Sequence, residues 1–289
     1  MAGALVGTTM LLGATARSVG PEPTPTPPGP TFPPSAISGP IVVTQDNVTI
    51  DGKSITGSGS GSGIKAVGTA ANPISNLTIR NCAIKGFTIG IDVQYVENLT
   101  IENCTIDDSV YAGIMVISGV GGHISGNTIR KVGYYTPLTT SYENNAYGIA
   151  LTRVASSNFT ANPRTSDFVV DGNTIEDVPY WHCLDTHAGQ NITFSDNTVR
   201  RCPRALFITG DSIGTHPKNV TVTGNRLEQA VQVSGGTNPT AITLVNLDTG
   251  RITNNTISTT YPEPYVLDFL GPDAAGSVDV TVSGTTVVP

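Results

Sequence analysis

"NLTIRNCAI" (residues 76–84) and "NLTIENCTI" (residues 98–106) are nearly the same nine residues, 22 positions apart. Seven more segments align with them: "NVTIDGKSI", "HISGNTI", "FVVDGNTI", "NITFSDNTV", "NVTVTGNRL", "RITNNTI" and "VTVSGTTV". The apolar residue before the polar pair serves as anchor. The anchors are Ile50, Ile79, Ile101, Ile124, Val170, Phe194, Val222, Ile252 and Val282. They recur every 22 to 30 residues, with one interval of 46. A self-similar period of this size marks a stacked-repeat architecture.

Each aligned column has a physical reading. The residue two after the anchor is always Gly, Asn or Asp, from Gly52 and Asn81 through Asn254 and Gly284. These types tolerate positive φ, so a tight bend is expected there in every unit. Three after the anchor stand Asn127, Asn173, Asn197, Asn225 and Asn255, a column of amides able to hydrogen-bond between units. Five after, the residue is always Ile, Val or Leu. A further strand follows in each unit, including "GIDVQ", "GIMVI", "GIALT", "CLDTH", "ALFIT", "AITLV" and "VLDFL". Its column Ile91, Ile114, Ile149, Leu184, Leu206, Ile242 and Leu267 is expected to point inward.

This pattern resembles the pectate-lyase-like superfamily of right-handed parallel β-helices. The resemblance implies an all-β solenoid, a single-stranded right-handed parallel β-helix of about nine coils, over residues 41–289. The superfamily includes lyases, hydrolases, epimerases and phage tailspikes, so the fold does not choose among activities.

Composition narrows the rest. Charged residues are 13% of the chain, the net charge is -7, and no Lys/Arg cluster occurs, which excludes nucleic acid as an expected partner. The four cysteines form no C-x-x-C pattern, so no zinc or dithiol chemistry is expected, and no cofactor. Residues 1–20, "MAGALVGTTMLLGATARSVG", are apolar up to Ala16. That run is too short for a membrane-spanning helix. No basic residue precedes it, so it reads as an anchoring or assembly segment rather than a leader. Residues 21–40 begin "PEPTPTPPGPTFPP", a semi-rigid extended linker. Segment, linker and solenoid together resemble a bacteriophage tailspike or minor tail protein. That resemblance implies a virion location, a homotrimer, contacts to other tail proteins through residues 1–20, and binding or cleavage of host-envelope polysaccharide. The alternatives are a secreted bacterial polysaccharide lyase or glycoside hydrolase, and a non-catalytic structural spike.

Two features look chemical and read as structural. Six after the anchor, Lys85, Asp107, Arg130, Glu176, Arg200 and Glu228 alternate in sign, as expected of an ion-pair ladder between coils. Cys82 and Cys104 share one column, so their Cα atoms should lie ~5 Å apart, within disulfide range. Stacked free thiols are the preferred reading. Cys183 and Cys202 share no column.

"WHCLDTHAG", residues 181–189, departs from the repeat. Period two turns Leu184 and Thr186 inward, and Asp185 and His187 outward. No other coil carries Asp and His together at these positions. The insertions "GYYTPLTTSYENN" and "ASSNFTANPRTSD" flank the preceding strand and are expected to wall a groove. The candidate catalytic set is Asp185, His187, His182, Arg204 and Asp211. Asp185 with Asp211 would be the carboxylate pair of a hydrolase. His187 or His182 as base with Arg204 as cation would serve a lyase. Trp181, Tyr147, Tyr180 and Tyr135 are the candidate sugar-binding aromatics. His182, Asp185 and His187 also raise a metal site, but no fourth ligand is visible and none is assigned.

Overall fold

The computed structural model describes residues 37–133, 145–229, 240–259, 267–270 and 280–288. The chain divides into two units, Met1–Thr31 and Phe32–Pro289. The first lies outside the described residues, as do most of the linker, Tyr135 and nearly all of the first insertion.

The second unit is a right-handed parallel β-helix whose described strands form three sheets of 10, 10 and 9. The first sheet stacks the anchors in unbroken register, Ile50 on Ile79 on Ile101 on Ile124, then Val170, Phe194, Val222, Ile252 and Val282. Anchors from Ile50 to Ile252 are buried in one continuous core. The chain then bends at the Gly/Asn/Asp column, and all nine of those residues have φ between 53° and 66°. This is the left-handed region that the sequence column requires. After the bend, Ile55, Ile84, Ile106, Ile129, Ile175, Val199 and Leu227 carry the core into the second sheet.

The asparagine column forms a hydrogen-bonded ladder inside the solenoid. Asn173 Oδ1 accepts from the backbone N–H and the side-chain amide of Asn127, and the same pattern repeats to Asn255. Each Nδ2 also donates to an anchor carbonyl of the preceding coil: Ile101, Ile124, Val170, Phe194 or Val222. Buried polar groups survive only when paired in this way. Cys82 and Cys104 are free, buried thiols at the start of this column. They donate to the equivalent carbonyls of Ile50 and Ile79, at 3.8 Å each.

Two expectations about pairing change. The ion-pair ladder is kept only in part: Arg130–Asp107 lies within the expected column, Arg201–Asp177 lies within the next one, and the other pairs cross between the two. Lys85 meets Asp108 at 3.0 Å, Arg130 meets Asp107 at 3.2 Å, and Arg201, not Arg200, meets Glu176 at 3.0 Å. The second charged column sits at a bend with positive φ at Asp108, Lys131, Asp177 and Arg201, which brings its side chains over those of the neighbouring coil. Exposed pairs of this kind contribute about 0.2–1 kcal/mol each. Cys183 and Cys202 form a disulfide, with Cα atoms 6.2 Å apart. The bond joins the third sheet to the end of a second-sheet strand, so comparison within columns could not reveal it.

The third sheet carries the site. Its strands include Ile89–Gln94, Ala112–Ile117, Tyr147–Thr152, His182–His187 and Arg204–Thr209. Neighbouring strands approach closely at the glycines that open them. A Cβ at Gly148 would sit 2.4 Å from the Cys183 carbonyl oxygen, so only glycine fits there.

Candidate functional site

Strand His182–His187 pairs Tyr147 with His182 on one side and His182 with Arg204 on the other. The pairing passes over Cys183, so His182 falls on the same outer face as Asp185 and His187. Leu184 and Thr186 turn inward, as the alternation requires. Outward does not mean exposed here. Asp185 and His182 are fully buried, and only His187 is partly open. A second apolar cluster outside the solenoid core covers them. It contains Ala112, Met115, Tyr147 and Ala150, with Ile89, Tyr111, Ile117 and Trp181 packed on it.

His182 is held in a stack. Trp181 lies on one side at 4.7 Å and Phe207 on the other at 3.9 Å. Arg204 reaches His182 Nε2 at 3.3 Å. A guanidinium only donates, so Nε2 must accept and the proton resides on Nδ1. Nδ1–H then donates to Asp185 Oδ2. The other carboxylate oxygen lies 3.0 Å from His187 Nε2, at ion-pair distance though off the line of a hydrogen bond.

Electrostatics separate the two imidazoles. Burial drives the pKa of His182 down to about 4, against the pull of Asp185. Burial alone would raise the Asp185 carboxyl, but the charge of His187 and the bonding of His182 outweigh it and bring it to about 2. Burial also works against charge on His187. Asp185 outweighs it, with a smaller contribution from Asp211, and the pKa of His187 rises. The arrangement is a neutral histidine, a buried carboxylate and a histidine that favours its proton.

A pH dependence follows. In the unfolded chain His182 takes up a proton near pH 6.5, in the folded chain only near pH 4. Its depressed value means stability is full above pH 6.5 and is lost as pH falls towards 4. The loss is about 3 kcal/mol. Asp185, also depressed, extends the loss towards pH 2. His187 runs the other way, and its contribution fades only as pH rises through its raised folded value. Urea unfolding at pH 6.5 and pH 4 should show the drop, and His182→Gln should flatten it. Equal stability of the parent at the two pH values would contradict this assignment.

The three donors of His182, Asp185 and His187 lie within 4.8 Å of one another. A metal there would break the His182–Asp185 bond and face the Arg204 guanidinium. Liganding histidines instead hold a carboxylate, carbonyl or water at the other nitrogen. The set fits a hydrogen-bonded relay better than a metal centre.

A groove of about 270 Å³ opens on this face. Its apolar floor is Ile89, Met115, Ile117 and Ala150, with Tyr111 and Tyr147 edge to face at 5.4 Å. Its polar groups are Asp92, Gln94, Thr152, Asp185 and His187. Of the residues singled out from sequence, Asp185, His187 and Tyr147 line it. His182, Trp181 and Arg204 stand behind it, in the stack. Tyr180 packs on the main core. Asp211 is engaged elsewhere: Oδ2 takes Arg153 at 2.9 Å and Oδ1 accepts the backbone N–H groups of Ile213 and Thr215. It is not presented to the groove as a partner for Asp185.

Sequence reasoning passed over Asp92 and Gln94, although Asp92 shares Asp185's outward column. It also passed over Arg153, Phe159 and Arg164, which pin the second insertion. Arg153 is buried and stacks 4.3 Å from the Phe159 ring. Arg164 donates to the carbonyls of Ala188 and His216. At the far end, Tyr95 OH donates to Asn162 at 2.9 Å. Tyr95 follows Gln94 and Ala188 follows His187, so this insertion is tied to both ends of the groove.

The model for the right-handed beta helix region matches residues 37–165 and 75–257. No curated protein matches the chain. Among solved structures, the chain is similar to an alginate lyase from Paenibacillus sp. str. FPU-7, at 13% identity and TM-score 0.57, over 84% of this chain and 88% of that one. It is similar to the GH136 lacto-N-biosidase from Eubacterium ramulus at 12% identity and TM-score 0.55, over 90% of this chain. The chain spans 47% of that enzyme's length. The tailspike protein of E. coli bacteriophage HK620 matches at 13% identity and TM-score 0.48, over 84% of this chain and 48% of that one. Likenesses at these identities speak for the fold alone.

Proposed function

This chain belongs to the right-handed β-helix family, and on that premise we propose that it binds carbohydrate in the groove of its third sheet. One observation carries the reading. Tyr111 and Tyr147 meet Asp92, Gln94, Thr152 and His187 in one concave strip across successive coils. Aromatic and aliphatic groups suit the apolar faces of sugar rings, and the polar groups suit their hydroxyls.

Any chemistry would centre on His187, a groove-lining acid–base group held by Asp185. A two-carboxylate hydrolysis lacks its geometry. Asp92 and Asp185 are three coils apart in one column, about 14 Å at the usual inter-strand spacing. That exceeds the ~5–9.5 Å such mechanisms use. His187→Gln should leave the fold intact and weaken glycan binding about tenfold, a loss of ~1.4 kcal/mol. Affinity electrophoresis against a polysaccharide panel measures it. Unchanged binding by a folded variant would count against the groove.

The setting we infer is a bacteriophage tail. Residues 1–20 would dock on other tail proteins, residues 21–40 would act as spacer, and a trimer would present the groove to host-envelope polysaccharide. A second reading, a secreted bacterial lyase or hydrolase, gains from the Cys183–Cys202 disulfide, because such bonds persist in oxidising surroundings. Intact chain in purified virions supports the first setting. Chain shortened to begin near Arg17 in a culture supernatant supports the second.

A further inference from the structure

We infer that the groove selects uncharged glycans and rejects polyuronates. The inference rests on the groove being a glycan site, and adds the class of glycan it accepts.

The charges around the groove carry it. Asp92 and Asp185 lie in the same outward column, one towards each end, and neither Lys nor Arg is among the described lining residues. Asp92 accepts from Ser62 Oγ at 3.3 Å and from Gln94 Nε2 at 3.1 Å. Lys65 approaches its Oδ2 only at 3.9 Å, from an exposed position outside the groove. His187 is the one cation among the described lining residues, and it faces Asp185, so the charges of the two are matched within the protein. The nearby arginines are turned to other tasks. Arg204 lies over the Trp181 and Phe207 rings and reaches His182. Arg153 is buried against Asp211.

A uronic carboxylate laid along this strip would meet the Asp92 carboxylate and, among the described lining residues, no unmatched cation, since Asp185 is buried and balanced by His187. Juxtaposed like charges are a general device for rejecting a ligand. A neutral sugar meets Asp92 as a hydrogen-bond acceptor for its hydroxyls, beside Gln94 and Thr152. The groove therefore favours hexoses and N-acetylated hexoses over acidic polymers of the same shape.

The test uses matched polymers. Several polyuronates and their carboxyl-reduced, neutral counterparts are arrayed with common neutral glycans, and the full chain is titrated at low and high salt. The expected result is binding of at least one neutral glycan, and about tenfold or tighter binding than its uronate counterpart. That gap should narrow as salt screens the charges, and narrow also in Asp92→Asn. A uronate bound as tightly as its neutral form would overturn the selection while leaving the groove a glycan site. Absence of binding to every polymer would overturn the glycan reading itself, and this inference with it. The parent chain alone decides between these outcomes, so the selection stands or falls even if Asp92→Asn folds poorly.

Discussion

Asp185→Ala should destabilise the folded chain by about 3–5 kcal/mol, the usual cost of removing one partner from a buried charged set. The carboxylate is fully buried and lies between two imidazoles. Its removal leaves the Nδ1–H of His182 without an acceptor inside an aromatic stack. It also removes the charge that favours protonated His187. Asp185→Asn should cost less, because an amide oxygen can still accept from His182. Urea unfolding at pH 7 measures both. A loss under about 1 kcal/mol for Asp185→Ala, the range for exposed positions, would show that the outer cluster does not seal this carboxylate.

Asn197→Ala should cost a similar about 3–5 kcal/mol, from two or more buried polar groups left unpaired at about 1–3 kcal/mol each. Asn197 Oδ1 accepts from Asn173 N and Nδ2 at 3.0 Å each, and its Nδ2 donates to Val170 O at 2.8 Å and Asn225 Oδ1 at 2.9 Å. Alanine leaves the Asn173 N–H without its acceptor and Val170 O without its donor. Asn197→Cys should fall between alanine and the parent. A thiol can donate to Val170 O, as Cys82 and Cys104 donate to their anchor carbonyls, but it restores no good acceptor for Asn173. Equal stability of Asn197→Ala and the parent would mean that the ladder is not a stabilising element.

The contrast between these two positions shows what sequence can reveal in a solenoid. The ladder was legible because repetition places identical side chains at identical corners, and each column checks the others. The bend two residues after each anchor was legible for the same reason, since the Gly, Asn and Asp of that column tolerate positive φ. The Asp185 site was legible in part. Its Asp and His stood out because no other coil has them together, and the alternation gave their face correctly. Their burial was not legible. It depends on Tyr111, Met115, Tyr147, Trp181 and Phe207 from several coils closing over that face, and no column announces such a cover. In the folded chain Met115 and Tyr147 form the floor of the groove, while Trp181 and Phe207 hold His182 behind it. Contacts that cross between sheets or loops stayed hidden altogether. The Cys183–Cys202 bond turns a corner of the coil, and Arg153 and Asp211 are 58 residues apart with a loop between them.

The central claim is that the groove along the third sheet is where carbohydrate binds. A crystal structure with the tightest-binding oligosaccharide from the panel tests it most directly. The expected result is sugar rings against Tyr111 and Tyr147, with hydroxyls hydrogen-bonded to Asp92 or Gln94 at one end and His187 at the other. A sugar bound instead along the charged edge at Glu176 and Arg201, with the groove occupied only by solvent, would contradict it.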